Sequence, residues 1–146
     1  MTPREHDGPD HLFALLEQAG RGFRAEFGDV LSEQGVALPL SGSRMRVLQL
    51  IPVAGVRPTE LAERARMTKQ SLGEALTALE HEGLVARAPD PSDRRAWIVA
   101  PTSKGLAVSA TVDRVARNAE RRITRRLGRD DVAAFRRVLS ALAERA

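Results

Sequence analysis

The most constraining stretch of this sequence runs from Pro58 to Gly105, where the hydrophobic period changes and each change is marked by a residue that ends one element and begins another. Pro58 fits the first turn of a short helix, where a missing backbone N–H costs nothing, and Leu61, Ala62 and Ala65 form its inner face. That helix ends near Met67. Thr68 can accept a backbone N–H as the N-cap of a second helix, in which Leu72, Ala75, Leu76 and Leu79 make one apolar stripe and Gly83 supplies the C-cap. From Leu84 the period shortens. Leu84-Val85-Ala86-Arg87-Ala88 and Trp97-Ile98-Val99-Ala100 read as short strands on either side of Pro89 to Arg95, which predicts a hairpin with a charged tip.

The flanks are helical. From His11 to about Leu31, Leu12, Leu15, Leu16, Ala19, Phe23, Phe27 and Val30 recur at spacings of three and four, although Gly20, Gly22 and Gly28 predict a kink or break unless packing supports the helix. Gln34 to Gly42 reads as a connector, followed by a short helix over Ser43 to Leu50 that Pro52 and Gly55 stop. Thr102 caps a long helix bearing Leu106, Val108, Val112, Val115, Ala119, Ile123 and Leu127. After Gly128 a last helix carries Val132, Phe135, Val138, Leu139 and Leu142. No repeat and no low-complexity segment interrupts this order, and 146 residues fit one domain with its own core.

Two short helices joined by a tight turn and followed by a two-stranded ribbon form the layout of a winged helix-turn-helix, whose second helix enters the major groove of DNA. The fold expected is therefore mainly α with a small β-wing. On a helical wheel the inward stripe leaves Gln70, Glu74, Thr77 and His81 on the outer face, with Lys69 and Ser71 at the leading end. Gln can bond an adenine edge, Ser and Thr several bases or phosphates, and Lys a phosphate or guanine. Glu74 can accept from a cytosine amino group or bond a neighbouring side chain, and Gly73 lets a backbone approach closely. Arg94 and Arg95 on the narrow ribbon suit a minor groove, with Asp93 orienting one of them or stiffening the turn. Trp97 is expected to pack the ribbon onto the second helix.

Composition removes several classes. There is no Cys, which excludes disulfides, thiolate metal sites and thiol-based sensing by this chain. The polar start from Met1 to Asp10 and the lack of a long apolar run predict a cytoplasmic protein with no membrane contact. The net charge of +4 suits a polyanion but is common among soluble proteins. Arg greatly outnumbers Lys, a bias that suits phosphate and guanine recognition and that G+C-rich coding DNA also produces.

Taken together, Glu60-Leu61-Ala62, Thr68-Lys69-Gln70-Ser71, Leu79-Glu80, Gly83-Leu84-Val85, Arg87, Asp90-Pro91, Asp93-Arg94-Arg95 and Thr102-Ser103-Lys104-Gly105 resemble MarR-family regulators in order and spacing, in detail from about Ser43 to Gly105. The resemblance implies a single domain over 1–146, with dimerisation helices at 11–40 and 102–146 flanking a DNA-binding region at 43–101. It implies a homodimer that reads a pseudo-palindromic operator in double-stranded DNA, and a repressor that a small molecule or other signal releases. The DNA-binding positions map to Thr68, Lys69, Gln70, Ser71, Glu74 and Thr77 on the helix and to Arg94 or Arg95 on the wing, with Asp93 as support. An effector site between the dimerisation helices and the DNA-binding part maps to Phe13, Phe23, Phe27, Met45 and Leu48, residues that core packing explains equally.

Other readings have less to stand on. His6, His11 and His81 are not arranged with a nucleophile, and no phosphate-cradling Gly loop or metal-ligand spacing appears, so neither an enzyme nor a cofactor is expected. His6, Asp7, Asp10 and His11 as a metal site sit in a terminal segment and are set aside. The arginine-rich run from Asp113 to Arg129 reads as a solvated face with interhelical ion pairs rather than a second DNA site. The competing function is a winged-helix adaptor that binds protein without specific DNA binding, because a fold alone does not fix function.

Overall fold

The computed structural model describes residues 11–144, so His6, Asp7 and Asp10 lie outside the described residues. Among the described residues six helices and one hairpin follow in the order α1 (Leu12–Glu33), α2 (Gly42–Leu50), α3 (Pro58–Ala65), α4 (Lys69–His81), β1 (Val85–Asp90), β2 (Asp93–Pro101), α5 (Ser103–Leu127) and α6 (Arg129–Ala143). The chain divides into two compact units, one of residues up to Val36 together with those from Arg114, the other of Ala37–Asp113. Among the described residues no helix is long and apolar enough to cross a membrane.

The unit of Ala37–Asp113 is built on the apolar stripes. Val47, Leu48, Leu61, Leu79, Leu84 and Val99 are fully buried, and Met45, Leu72 and Leu76 nearly so. Burial of each large side chain contributes about 1.5–3 kcal/mol, which sets the inward face of α4 firmly. β1 and β2 pair antiparallel from Val85↔Pro101 to Pro89↔Trp97, and the register then slips to Asp90↔Asp93. Arg94, Arg95 and Ala96 fall in this irregularity, so the segment expected as a loop is strand with a bulge and the turn shrinks to Pro91-Ser92. Val56 and Val99 exchange both backbone hydrogen bonds at 2.9 Å, which fixes the base of the wing to the chain entering α3.

Two glycines at the α4–wing junction have physical reasons. Gly83 takes φ +68°, the left-handed conformation that ends α4. Gly105, in the first turn of α5, lies so near Leu84 that a Cβ there would stand 2.0 Å from the Leu84 carbonyl oxygen. Thr102 ties the same junction. Its Oγ1 accepts the Gly105 N–H at 3.1 Å and donates to the Gly83 carbonyl at 2.6 Å, and its N–H donates to Leu84 O at 3.0 Å.

In the other unit α1 runs unbroken through Gly20, Gly22 and Gly28, the outcome expected where packing supports the helix. Packing supports its C-terminal half, where Val30 joins Val115 and Ala119 in a buried cluster covered by Phe27 and Leu31. His11 caps α1 by accepting the Ala14 N–H on Nδ1 at 3.2 Å. Arg122 binds the Glu33 carboxylate and holds it below the ordinary carboxylate range, chiefly through that hydrogen bond. Leu12, Phe13, Leu15 and Leu16 at the start of α1 are exposed, and α6 exposes Val138, Leu139 and Leu142.

Candidate nucleic-acid interface

The helix-turn-helix is closed by Arg66, which adopts φ +52° as the C-cap of α3 and lets the chain reverse through Met67 into α4. Thr68 then acts as N-cap, its Oγ1 accepting the Ser71 N–H at 3.1 Å and donating to Ser71 Oγ at 3.0 Å. Lys69, Gln70, Ser71, Glu74, Thr77 and His81 are all exposed, while Leu72, Ala75, Leu76 and Leu79 are buried, so the polar residues form one outward face. The Gln70 Nε2 to Glu74 Oε1 separation is 3.5 Å, at the outer limit of a hydrogen bond, which leaves both groups open to a partner. Thr77 differs: its hydroxyl donates to Gly73 O at 2.9 Å within its own helix.

This face is broader than the wheel predicts. Arg44 of α2 lines a concavity of about 670 Å³ with Gly73, Glu74, Thr77, His81 and Glu82, which adds a basic residue to the surroundings of the acidic member of the face. Nothing in the sequence marks Arg44, because its place depends on how α2 crosses α4 rather than on any local period.

The wing is held at both ends. At its tip Asp90, only 7% exposed, accepts Ser92 Oγ at 2.7 Å and Ser92 N–H at 2.8 Å on Oδ1, and Arg57 Nε at 2.5 Å on Oδ2. These bonds, Ser92 first and Arg57 after it, lower the Asp90 pKa to about 2. Asp93 braces the tip through the backbone: its Oδ1 accepts the backbone N–H of Arg95 at 3.0 Å, and its Oδ2 lies 3.8 Å from Arg57 Nη2. The guanidinium groups of Arg94 and Arg95 are thus left exposed on the bulged edge. Arg57 and Asp90 were not legible as partners, since 33 residues and two helices separate them.

The ribbon is also tied to α4. Arg87 stacks over Trp97 with its guanidinium carbon 4.2 Å from the ring centre, and its Nε donates to Glu80 Oε1 at 2.6 Å. Trp97 therefore reaches α4 through Arg87. Lys104 Nζ donates to Glu82 O at 2.6 Å and satisfies a carbonyl at the C-terminus of α4.

An outward polar helix face, a capped tight turn and a braced arginine-tipped ribbon within one compact unit are the features to compare with known proteins. Residues 38–96 match the MarR family. Over 128 residues the chain is 33% identical to the HTH-type transcriptional repressor Rv2887 of Mycobacterium tuberculosis, covering 88% of this chain and 90% of that protein. The chain belongs to the MarR family. The transcriptional repressor CouR, solved bound to a 23-mer DNA duplex, is 30% identical with a TM-score of 0.72, covering 92% of this chain and 93% of that one. The reduced form of MarR from E. coli shares the fold at a TM-score of 0.74 and 23% identity, over 93% of this chain and 98% of that one. The MarR match spans Arg44, Arg57, all of α4, and the wing through Arg94 and Arg95.

The five residues that the MarR resemblance suggests for an effector occupy different surroundings. Met45 and Leu48 are buried in the core of the Ala37–Asp113 unit. Phe23 and Phe27 line a trough of about 430 Å³ in the other unit, where Phe23 stacks on Phe135 with ring centres 6.1 Å apart. Phe13 does not line that trough and is 69% exposed.

Proposed function

We propose that this MarR-family chain is a transcriptional repressor that binds double-stranded DNA, with α4 in a major groove and the bulged wing in the adjacent minor groove. The observation that carries this reading is the sorting of α4: every residue of its apolar stripe is buried, and Lys69, Gln70, Ser71, Glu74 and Thr77 are exposed together beside Arg44. Such side chains reach base edges and phosphates, whereas Arg94 and Arg95 supply fixed positive charge where a narrow groove concentrates negative potential. The protein acts by occupying DNA and is not an enzyme.

The repressor works as a homodimer through α1 and α6, whose exposed Leu12, Phe13, Leu15, Leu16, Val138, Leu139 and Leu142 make apolar faces that a second copy covers. Two wings then read the halves of a pseudo-palindrome. An effector releases the operator by binding the released form more tightly, and the trough beside Phe23 and Phe27 is its candidate seat.

The test is fluorescence anisotropy on the DNA upstream of the gene that encodes this protein, titrated with salt and competed with unrelated duplex. We expect binding that survives competitor. Arg94→Ala with Arg95→Ala weakens it and flattens the dependence of log affinity on log salt by about 1 or more per chain. Salt-independent binding, or none, overturns the reading in favour of a protein-binding adaptor.

A further inference from the structure

The arginines around the second half of α5 fall into two rows of opposite character. Arg114, Arg122 and Arg126 meet residues of α1: Arg114 donates to Gln34 at 2.6 Å, Arg122 binds Glu33, and Arg126 lies 3.2 Å from Glu26. The ion-pair reading of the sequence describes Arg122 and Arg126 in this row. Arg117, Arg121 and Arg125 recur every fourth residue on another side of α5, and Arg129 continues the series at the start of α6. All four are exposed, and among the described residues none pairs with a carboxylate. Arg121 donates to the neutral amide oxygen of Asn118.

An ordinary solvated face does not account for this second row. Like charges at i and i+4 destabilise a helix, and the helix dipole favours cations only in the last turn, where Arg125 lies but Arg117 and Arg121 do not. The four arginines bound a concavity of about 460 Å³ together with Glu120 and Thr124. Glu120 is engaged by Arg136, and the Thr124 hydroxyl donates to the Glu120 carbonyl at 2.8 Å, so neither cancels the positive charge of the concavity.

The concavity is open to solvent and confined to one end of α5 and the start of α6, which suits a compact anion better than an extended backbone. Guanidinium forks match phosphate oxygens two at a time, and a spread of about 12 Å from Arg117 to Arg125 suits several linked phosphates better than a single one. We propose that Arg117, Arg121, Arg125 and Arg129 form a binding site for a compact multiphosphate anion, either a nucleoside polyphosphate or a short inorganic polyphosphate. The site is separate from the residues assigned to DNA.

Calorimetric titration of the full-length protein with sodium tripolyphosphate, with GTP, and with sodium sulfate at matched ionic strength tests it. Tripolyphosphate is expected to bind at one site per chain and at least about tenfold more tightly than sulfate. Arg121→Gln with Arg125→Gln weakens that binding by about tenfold or more, while Arg121→Lys with Arg125→Lys retains part of it. Arg94→Ala with Arg95→Ala leaves it unchanged. Equal affinity for GTP assigns recognition to the phosphates alone, and tighter GTP binding adds a nucleoside to the same site. Should the glutamine pair lose its native circular dichroism, Arg117→Gln and Arg129→Gln, each made singly, carry the test and are expected to weaken binding. Tripolyphosphate binding no tighter than sulfate, or undiminished in correctly folded glutamine variants, overturns the proposal. A loss of DNA affinity with a shallower salt slope in those variants, without tripolyphosphate binding, overturns it too and makes the row a nucleic-acid contact.

Discussion

Replacing Gly105 by alanine tests the packing of the wing unit, because local propensity and tertiary contact predict opposite signs. Propensity alone favours alanine in a helix by about 1 kcal/mol. The new Cβ, however, would stand 2.0 Å from Leu84 O and 3.0 Å from Leu84 C, both backbone atoms that cannot rotate aside. Relief needs the start of α5 to retreat by about 1 Å or more, which stretches the Thr102 N–H to Leu84 O bond, now 3.0 Å, beyond useful length. Overpacking costs about 1–3 kcal/mol and the weakened hydrogen bond about 0.5–1.5 kcal/mol, so the net loss after the propensity gain is about 0.5–3.5 kcal/mol. Trp97, the single tryptophan, sits on the wing and reports this unit in a urea titration. The midpoint is expected to fall by about 0.3–1.8 M at a slope of about 2 kcal/mol/M, usual for small proteins in urea. Gly73→Ala is the control, since nothing lies within 4 Å of its Cβ position. It should gain about 0.5–1 kcal/mol while weakening DNA binding if the backbone of α4 approaches the groove there. A Gly105→Ala midpoint equal to or above wild type would refute the packing argument.

Two further outcomes follow from polar contacts. Thr68→Ala removes the cap on Ser71 N–H and is expected to cost about 0.5–2 kcal/mol, read as faster amide exchange at Ser71 and restored by Thr68→Asn; unchanged exchange would deny the cap its role. Because the folded Asp90 pKa lies near 2, below its ordinary 3.8, the wing-tip contribution is fully present above about pH 4 and is lost as pH falls through about 2. Nuclear magnetic resonance of the Ser92 amide against pH checks this, and a midpoint near 3.8 would mean that the Asp90 bonds do not persist in solution.

What could be read in the sequence is what short-range chemistry determines. The stripe of Leu72, Ala75, Leu76 and Leu79, the caps at Thr68 and Thr102, and the end of α4 at Gly83 each depend on residues within a few positions, and each was legible. The wing was legible as a hairpin but not in extent, since Asp93, Arg94 and Arg95 carry the composition of a loop while a bulge keeps them in β2. The helix of α1 was legible from its stripe, but whether Gly20, Gly22 and Gly28 would break it was not, because that depends on packing such as that of Val30 on Val115. Arg44 and the Arg57–Asp90 pair were missed because their roles exist only after distant elements meet. Likewise the run of arginines gave no sign of which would find carboxylates.

The bracing of the wing unit limits how a signal can release DNA. α4 is held at its C-terminus by Thr102 and Lys104 and along its side by the Glu80–Arg87 pair, while the wing tip is held by Arg57 and its base by Val56. α4 and the ribbon therefore move as one body, which reduces the freedom lost on binding a partner with both. Melting α4 to abolish recognition would expose Leu72, Leu76 and Leu79 at about 1.5–3 kcal/mol each, beyond the differential affinity of about 1–3 kcal/mol that couples most effectors to a second site. In the proposed dimer, two copies reading half-sites about one helical turn apart lose their match to DNA when the spacing between them changes, with every contact inside each copy intact. The less costly route for a repressor built this way is a change in spacing, and an effector should leave amide exchange in α4 unaltered while it weakens operator binding.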